Sequence, residues 1–508
     1  MITIYATPEQ FDAVREIISR EERLDEWVQI RDFLLEKPPL SAYSLIVRQH
    51  AITQPIDWQN VQPPYLLPEE IPFSPEHLLG LVFARLGNYA RSRELLLSNP
   101  LLSREIDLIQ RLQQGIPTQA ESLNSDFSPF EEYRFCHNAA LLHHYAASEE
   151  DFDPDKARYF YREALNSAPN GEYFTFTAKQ YAAFLQDMDE PEIAEHLLED
   201  ALKNAFSDEA ATELKAALCQ VWMKKLVAPY DPLLLDRLKE VLWETLKAYQ
   251  KQNRPVEEAL TLIDASHVAN ISESFSEALQ YISRAVELLR QEEMDELLAN
   301  AHFRRGSLLY TWAQKGNPQF YKGAMESFQE ALKVFTREDA PGTFAEIHHY
   351  LGVIYSEIPD EVRKKSIWAA VSSSSFQEAL QFYNKEQYPY EYAMICNHYG
   401  NAISKYPIAI HSDNLEKAIF YYNEALCIRT AAHYPFERAL TLLNYLEGLW
   451  YLNLGDKNGA GKALYQQMLA FAEEARTLTR EPAIIAEAEN HLKKLEELGQ
   501  VLAREAHF

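Results

Sequence analysis

Residues 452–464, LNLGDKNGAGKAL, place Gly455, Gly459 and Gly461 ahead of Lys462, the composition of a loop that could cradle a phosphate where a helix begins. A phosphate loop needs four residues between its first glycine and the Gly-Lys pair, followed by a Ser or Thr. The backbone amides, the lysine ammonium and a metal-binding hydroxyl must all converge on one polyphosphate. Here five residues separate Gly455 from Gly461, and Ala463 follows Lys462. Both requirements fail, and the same residues fit a turn between two helices.

The other residues able to do chemistry are equally dispersed. His143 and His144, and His348 and His349, are adjacent pairs. Neighbours on a helix point about 100° apart, so neither pair can close on a single ion. There is no HExxH, no calcium-type acidic loop and no GxSxG nucleophile turn. Cys136, Cys219, Cys396 and Cys427 make no CxxC pair, which points away from a zinc knuckle or a disulfide framework and toward a reducing cytoplasm. Of the four serines at 372–375, Ser372 takes a small-residue packing position. The acidic run Glu149, Glu150 and Asp151 reads as a solvated surface. The sequence therefore implies no catalytic residues, no cofactor and no metal.

The formal charge of −28, from 76 acidic and 48 basic side chains, repels nucleic acid and anionic membrane surfaces at long range. No run of about 18 apolar residues occurs, so no membrane span is expected, and the N-terminus lacks the pattern of an export leader. With 47% hydrophobic residues and only 15 glycines, most of the 508-residue chain should fold.

The elements that position these residues read as helices. Thr7, Pro8 and Gln10 suggest an N-cap, a first-turn proline and a capping box, after an apolar ITIY that is either a strand or a hydrophobic staple. Prolines 38, 39, 55, 63, 64, 68 and 72 mark 50–74 as an irregular connector. Three segments then nearly repeat, starting at Phe328, Phe376 and Tyr422, with spacings of 48 and 46 residues. Within shorter units an alanine is followed by a bulky residue four positions on and another alanine seven on: Ala157, Tyr161, Ala164; Ala194, Leu198, Ala201; Ala278, Ile282, Ala285; Ala418, Tyr422, Ala425. That spacing keeps all three on one helix face and lets a neighbouring helix approach closely. Twelve residues before the first alanine stands another small residue, as Ala182 before Ala194 and Ser266 before Ala278.

This pattern resembles the tetratricopeptide repeat (TPR), with small residues at the eighth, twentieth and twenty-seventh positions and a bulky one at the twenty-fourth. Longer units, in which Gly306, Gly352 and Gly400 precede Ala324, Ser372 and Ala418 by 18, 20 and 18 residues, are similar to extended TPR arrays of bacterial proteins. The insertions should lengthen each helix by nearly a turn. The implied fold is all-α: a TPR-like helical-hairpin solenoid, a right-handed superhelix. Its parts would be an N-terminal helical segment with Pro-rich connector (1–74), a degenerate repeat plus loop (75–130), the array (131–475) and a C-terminal capping helix (476–508). Residues 208–255 read as a degenerate unit, and 114–130 as a loop.

In the TPR family the first helix of each pair lines a concave groove. Carried onto this sequence, the resemblance nominates Asn300, Phe303, Tyr310, His349, Asn397, Asn401, Lys405 and Tyr445 as partner-binding residues. Asparagine amides can hold an extended peptide by its backbone. The lysine and arginine clamp of chaperone-binding TPRs is not reproduced. The expectation is a cytoplasmic, non-enzymatic scaffold or adaptor for a protein or peptide partner. The alternative is a regulatory or substrate subunit of a bacterial effector system, protease-linked or nucleotide-switched, in which the 114–130 loop would be a cleavage site.

Overall fold

Proline opens helix after helix in this chain, at Pro8, Pro75, Pro129, Pro191, Pro255, Pro341, Pro389 and Pro435 among others. Its fixed φ suits the first helical position, where its missing N–H goes unused. The computed structural model describes residues 1–32, 44–59, 63–118, 128–146, 152–359, 362–407, 413–451 and 460–505. The chain divides into two units, Met1–Arg254 and Pro255–Phe508.

The first unit begins with β1 (Ile2–Ala6), α1 (Pro8–Ser19), β2 (Val28–Asp32), β3 (Ser44–Arg48), β4 (Ala51–Thr53) and β5 (Ile71–Pro72). These strands form one sheet in the order β2-β1-β3-β4-β5. β1 is parallel to both β2 and β3, with Ile4 opposite Ile30 and Leu45, while β4 runs antiparallel to β3 and to β5. All five β1 residues are buried, as expected of a central parallel strand covered on both faces. Ile2, Ile4 and Ala6 share a core with Val14, Ile17 and Ile18 of α1 and with Leu78, Leu79 and Val82 further on.

The expected helical N-terminal segment is thus an α/β module in which α1 is one layer. ITIY resolves as a strand rather than a staple, and 50–74 contributes β4 and β5. The reason is non-local: β-branched ITI and the apolar SLIV of β3 satisfy their backbones only by pairing with each other across 40 residues of sequence. The capping box at α1 is not formed either. Thr7 makes no side-chain cap, and the Gln10 amide donates instead to the Gln49 carbonyl at 3.0 Å.

Helical pairs follow: α2 (Pro75–Arg85) and α3 (Tyr89–Leu95), then α4 (Pro100–Gln113), α5 (Pro129–Tyr145) with α6 (Pro154–Ser167), α7 (Gly171–Asp187) with α8 (Pro191–Leu202), and α9 (Asp208–Lys225) with α10 (Pro232–Gln252). The second unit continues with α11 (Pro255–Ile271) and α12 (Phe275–Gln291), α13 (Asp295–Gln314) and α14 (Tyr321–Ala331), α15 (Pro341–Glu357) and α16 (Val362–Phe382). It closes with α17 (Pro389–Lys405) and α18 (Asn414–Ile428), α19 (Pro435–Leu449) and α20 (Ala460–Leu478), and α21 (Pro482–Glu505). Within each unit this is a run of TPR-like helical hairpins.

The small-residue rule is visible as steric fit. A Cβ on Gly352 would lie 2.9 Å from the Phe376 ring, one on Gly400 2.8 Å from Tyr422, one on Gly306 2.8 Å from Phe328. In each hairpin the aromatic of the second helix seats on the bare backbone of the first. Ser372, Ser266 and Ser92 add a hydroxyl donated across the pair to the carbonyls of Gly352, Ala278 and Gly80.

The inserted residues of the long units are not shared evenly between helices as expected. α13 runs eight residues past Gly306 where α7 runs five past Ala182, and α16 starts ten residues before Ser372 where α8 starts three before Ala194. In the α17–α18 unit they lie between the helices. Only the glycine–aromatic contact must be kept, so the extra length can enter anywhere outside it. At the C-terminus α21 buries Ile484, Ala488 and Leu495 against the preceding pair. Most of the 114–130 loop lies outside the described residues.

Candidate functional site

Sequence reasoning points to the second unit, where the nominated residues all sit on first helices: Asn300, Phe303 and Tyr310 on α13, His349 on α15, Asn397, Asn401 and Lys405 on α17, and Tyr445 on α19. The structure ties most of them to neighbouring residues of the array rather than to one another. Phe303 is buried against Phe328 and Tyr350, and Tyr310 meets Tyr350 edge-on at 5.1 Å. His349 Nε2 is 2.8 Å from His398 Nδ1. Asn397 Oδ1 accepts from Asn444 at 3.2 Å, Asn401 Oδ1 accepts from the Tyr422 hydroxyl at 2.8 Å, and Tyr445 is buried and stacked on Tyr422. Lys405 is exposed and pairs with Glu357 at 2.6 Å, and Asn300 is half-buried. Burial pushes the His349 ring well below its usual pKa, with His398 adding to it. Burial and Arg429 bring His398 down to about 4.

The residues that hold an extended segment lie in the first unit. The Ser128 hydroxyl caps α5 by accepting from the Glu131 amide, and the Asn170 carboxamide caps α7 by accepting from Glu172 and Tyr173. Tyr133, Arg134, His137 and Asn138 then repeat at one-turn spacing on α5, as Glu172, Tyr173, Phe176 and Thr177 do on α7, so each set shares a face. Against these faces lie two described stretches of the connector between β4 and β5, 54–59 and 63–70. Asn138 Oδ1 accepts from the Leu66 N–H at 2.9 Å while its Nδ2 donates to the Leu66 carbonyl at 2.8 Å. His137 Nε2 donates to the Pro64 carbonyl at 2.8 Å, and Arg134 Nη1 reaches the Leu66 carbonyl at 3.3 Å.

Side chains lock the segment at both ends. Trp58 is 0% exposed, meets Phe176 edge-on at 5.3 Å and donates its indole N–H to Glu172 Oε1 at 2.9 Å. Ile56, Trp58, Phe176 and Ala210 of α9 form one small apolar cluster, and the Tyr65 hydroxyl donates to Glu105 of α4 at 2.6 Å. Burial pushes His137 down to about 4, against the pull of the Pro64 carbonyl, so the ring is neutral and its single N–H is directed at the connector. The other ring nitrogen meets the Thr177 hydroxyl at 2.9 Å.

The amide-to-main-chain pairing anticipated at Asn397 and Asn401 is therefore found at Asn138. A signal for part of it was present. With Ala182 as the eighth residue of its unit, the TPR register puts Phe176 in the second position and Lys179 in the fifth, both groove positions. Lys179 itself forms an ion pair with buried Glu213.

The remaining candidates resolve as packing. His144 takes Tyr161 and Asp187 as partners while His143 stacks on Phe160, so the adjacent rings point to different neighbours. Residues 452–459 lie outside the described residues, and Lys462 is exposed on the first turn of α20. Among the described residues Glu447, Glu487 and His491 lie close enough to hold an ion. However, Trp450 donates its indole N–H to His491 Nδ1 at 2.9 Å, so the neutral ring keeps its own proton on Nε2 and has no free lone pair. No helix among the described residues is long and apolar enough to cross a membrane.

Fold and site together define an all-α helical-hairpin repeat protein carrying a small N-terminal α/β module. No family model matches the chain, and no curated protein matches it. Solved structures to which it is similar are TPR proteins. A signal-transduction ATPase with a tetratricopeptide repeat sensor, from Pyrococcus horikoshii, aligns at 15% identity and TM-score 0.48 over 80% of this chain and 54% of that one. A monomeric IFIT1 variant solved with m7Gppp-AAAA aligns at 16% identity and TM-score 0.36, over 84% and 90%. Yeast Tom70 aligns at 12% identity and TM-score 0.35, over 85% of each chain. The fold assignment rests on the hairpin geometry above rather than on these alignments.

Proposed function

We propose that this protein is a non-enzymatic interaction scaffold that binds an extended segment of a partner polypeptide along the first helices of its hairpins. The observation that carries this reading is the first unit's own connector, gripped through its main chain by Asn138, His137 and Arg134 and anchored by one tryptophan. A helical-repeat face built this way reads backbone by polar pairing and selects sequence by a few pockets. In the second unit the polar residues a partner would meet are Asn300, Asn401 and Lys405, with the half-buried Tyr310 and the buried Phe303, His349, Asn397 and Tyr445 on the same first helices. The setting is a reducing compartment, in keeping with four cysteines that form no disulfide.

The test is affinity purification with the unchanged chain and with an Asn300→Ala, Lys405→Glu variant of unaltered thermal stability. A discrete polypeptide captured by the first and lost from the second supports the reading. Identical captured sets would remove the second unit's face from consideration.

A further inference from the structure

The connector occupies a face whose chemistry it does not exhaust. Stripped of Ile56, Trp58 and Pro64–Leu66, the first unit would present Phe176 and Tyr133, both fully buried at present, beside an asparagine amide and a histidine N–H with no other purpose. Asn138, His137 and Arg134 of α5 reach the connector through its main chain, at Pro64 and Leu66, the pattern needed to accept a sequence other than the one in place. The sequence-specific contacts are the Trp58 indole over Phe176 with its N–H on Glu172, the Tyr65 hydroxyl on Glu105, and the packing of Ile56 and Leu66 against the same helices. The strands that bracket the segment are short, three residues in β4 and two in β5, and they are paired with the sheet rather than with the helices.

We propose that the connector is an in-cis ligand, and that the face of α5, α7 and α9 is a regulated peptide site. Its external ligand is an extended segment with a tryptophan followed several residues later by a proline–aromatic–leucine sequence. Such a segment competes with Trp58 and Pro64–Leu66 for the same contacts. Displacement frees the connector from the helices while β4 and β5 stay in the sheet. This deepens the scaffold reading and rests on it, but concerns the first unit alone.

The probe is a labelled peptide of this chain's own sequence, QPIDWQNVQPPYLLP. Full-length protein carrying Trp58→Ala and Tyr65→Ala should bind it at least about tenfold more tightly than the unchanged chain, because in-cis occupancy lowers apparent affinity by the fraction of time the face is open. The same peptide with its tryptophan replaced by alanine should not bind, and adding Asn138→Ala should abolish binding. Equal affinity for variant and unchanged chain, or no binding to a variant that keeps its helical content, overturns the proposal and makes the connector a fixed strap.

If the double variant fails to fold, the unchanged chain decides by hydrogen exchange. The Leu66 amide should exchange at least roughly a hundredfold faster than amides in the middle of α5, since local release needs no helix opening. Equal rates overturn the proposal. A strap result leaves partner capture by the second unit untouched, and failure of that capture leaves the peptide result standing.

Discussion

Gly352 and Gly448 occupy the same repeat position in different hairpins, yet the structure assigns alanine opposite effects at the two. At Gly352 a Cβ would stand 2.9–3.0 Å from three ring carbons of Phe376, where carbon pairs normally rest at about 3.5–4.0 Å. The ring would have to retreat by roughly half an ångström or more. It has nowhere to go, being fully buried, stacked on Tyr399 at 4.7 Å and tilted against His349 at 6.2 Å. Overpacking of this kind costs about 1–3 kcal/mol, and prying the helices apart also weakens the Ser372 bond to the Gly352 carbonyl, worth about 1 kcal/mol. Helix propensity returns about 1 kcal/mol, so Gly352→Ala should destabilise by about 1–3 kcal/mol net. At Gly448 the nearest atoms to a new Cβ are Leu415 at 3.7 Å and Tyr422 at 3.8 Å, ordinary contact distances. Among the described residues nothing opposes the propensity term there, and Gly448→Ala should stabilise by up to about 1 kcal/mol. Both positions lie in the second unit, so urea unfolding followed by circular dichroism compares them within one transition, located with Phe376→Ala. Trimming the ring with Phe376→Leu should shrink the cost of Gly352→Ala in a double-mutant cycle. The steric argument fails if the two alanine variants shift stability in the same direction, or if the cycle is additive.

Three further outcomes follow from the buried polar groups. Glu213 is buried, but Lys179 and Arg254, with Tyr249, outweigh that burial and hold its carboxyl below the usual range. Glu213→Ala removes the buried carboxylate that both cations face and should cost the first unit about 3–5 kcal/mol in chemical unfolding. Burial lowers His137 and His398 to about 4, so between the unfolded value near 6.5 and that point the unfolded chain binds protons that the folded chain refuses. Stability should therefore be lost as pH falls through that window, by about 3 kcal/mol per ring at its lower end. Urea midpoints measured from about pH 7 down to about pH 4 check this, and His398→Gln should flatten the second unit's share. Asn138→Ala leaves the Leu66 N–H and carbonyl short of a partner and should destabilise the first unit by about 1–3 kcal/mol, against no change for the exposed Lys462→Ala. Equal melting temperatures for the Asn138 variant and the unchanged chain would count against the connector grip.

The hairpins were legible because the code for them is short-range. A small residue, a bulky one four positions on and another small one three further lie on one helix face whatever the rest of the chain does. Ala194, Leu198 and Ala201, like Ala278, Ile282 and Ala285, are fully buried in consequence. Where extra residues enter a long unit was not legible, because helix ends and loops outside the glycine–aromatic contact carry no such constraint. The groove residues of the second unit were found on the right helices, but their exposure was not predictable. Whether Asn397 faces a ligand or Asn444 depends on the distance to the next first helix, and the sequence does not contain that distance.

By itself the sequence determined that this chain is a run of helical pairs and that its glycine-rich stretch lacks the spacing of a phosphate loop, since both follow from residue positions within a few turns. Only the tertiary structure decided that the first residues form a five-stranded sheet and that a proline-rich connector fills the face of α5, α7 and α9. Strand pairing and main-chain capture join segments some 40–73 residues apart, and the hydrogen bonds that drive them go to backbone groups that every residue possesses alike.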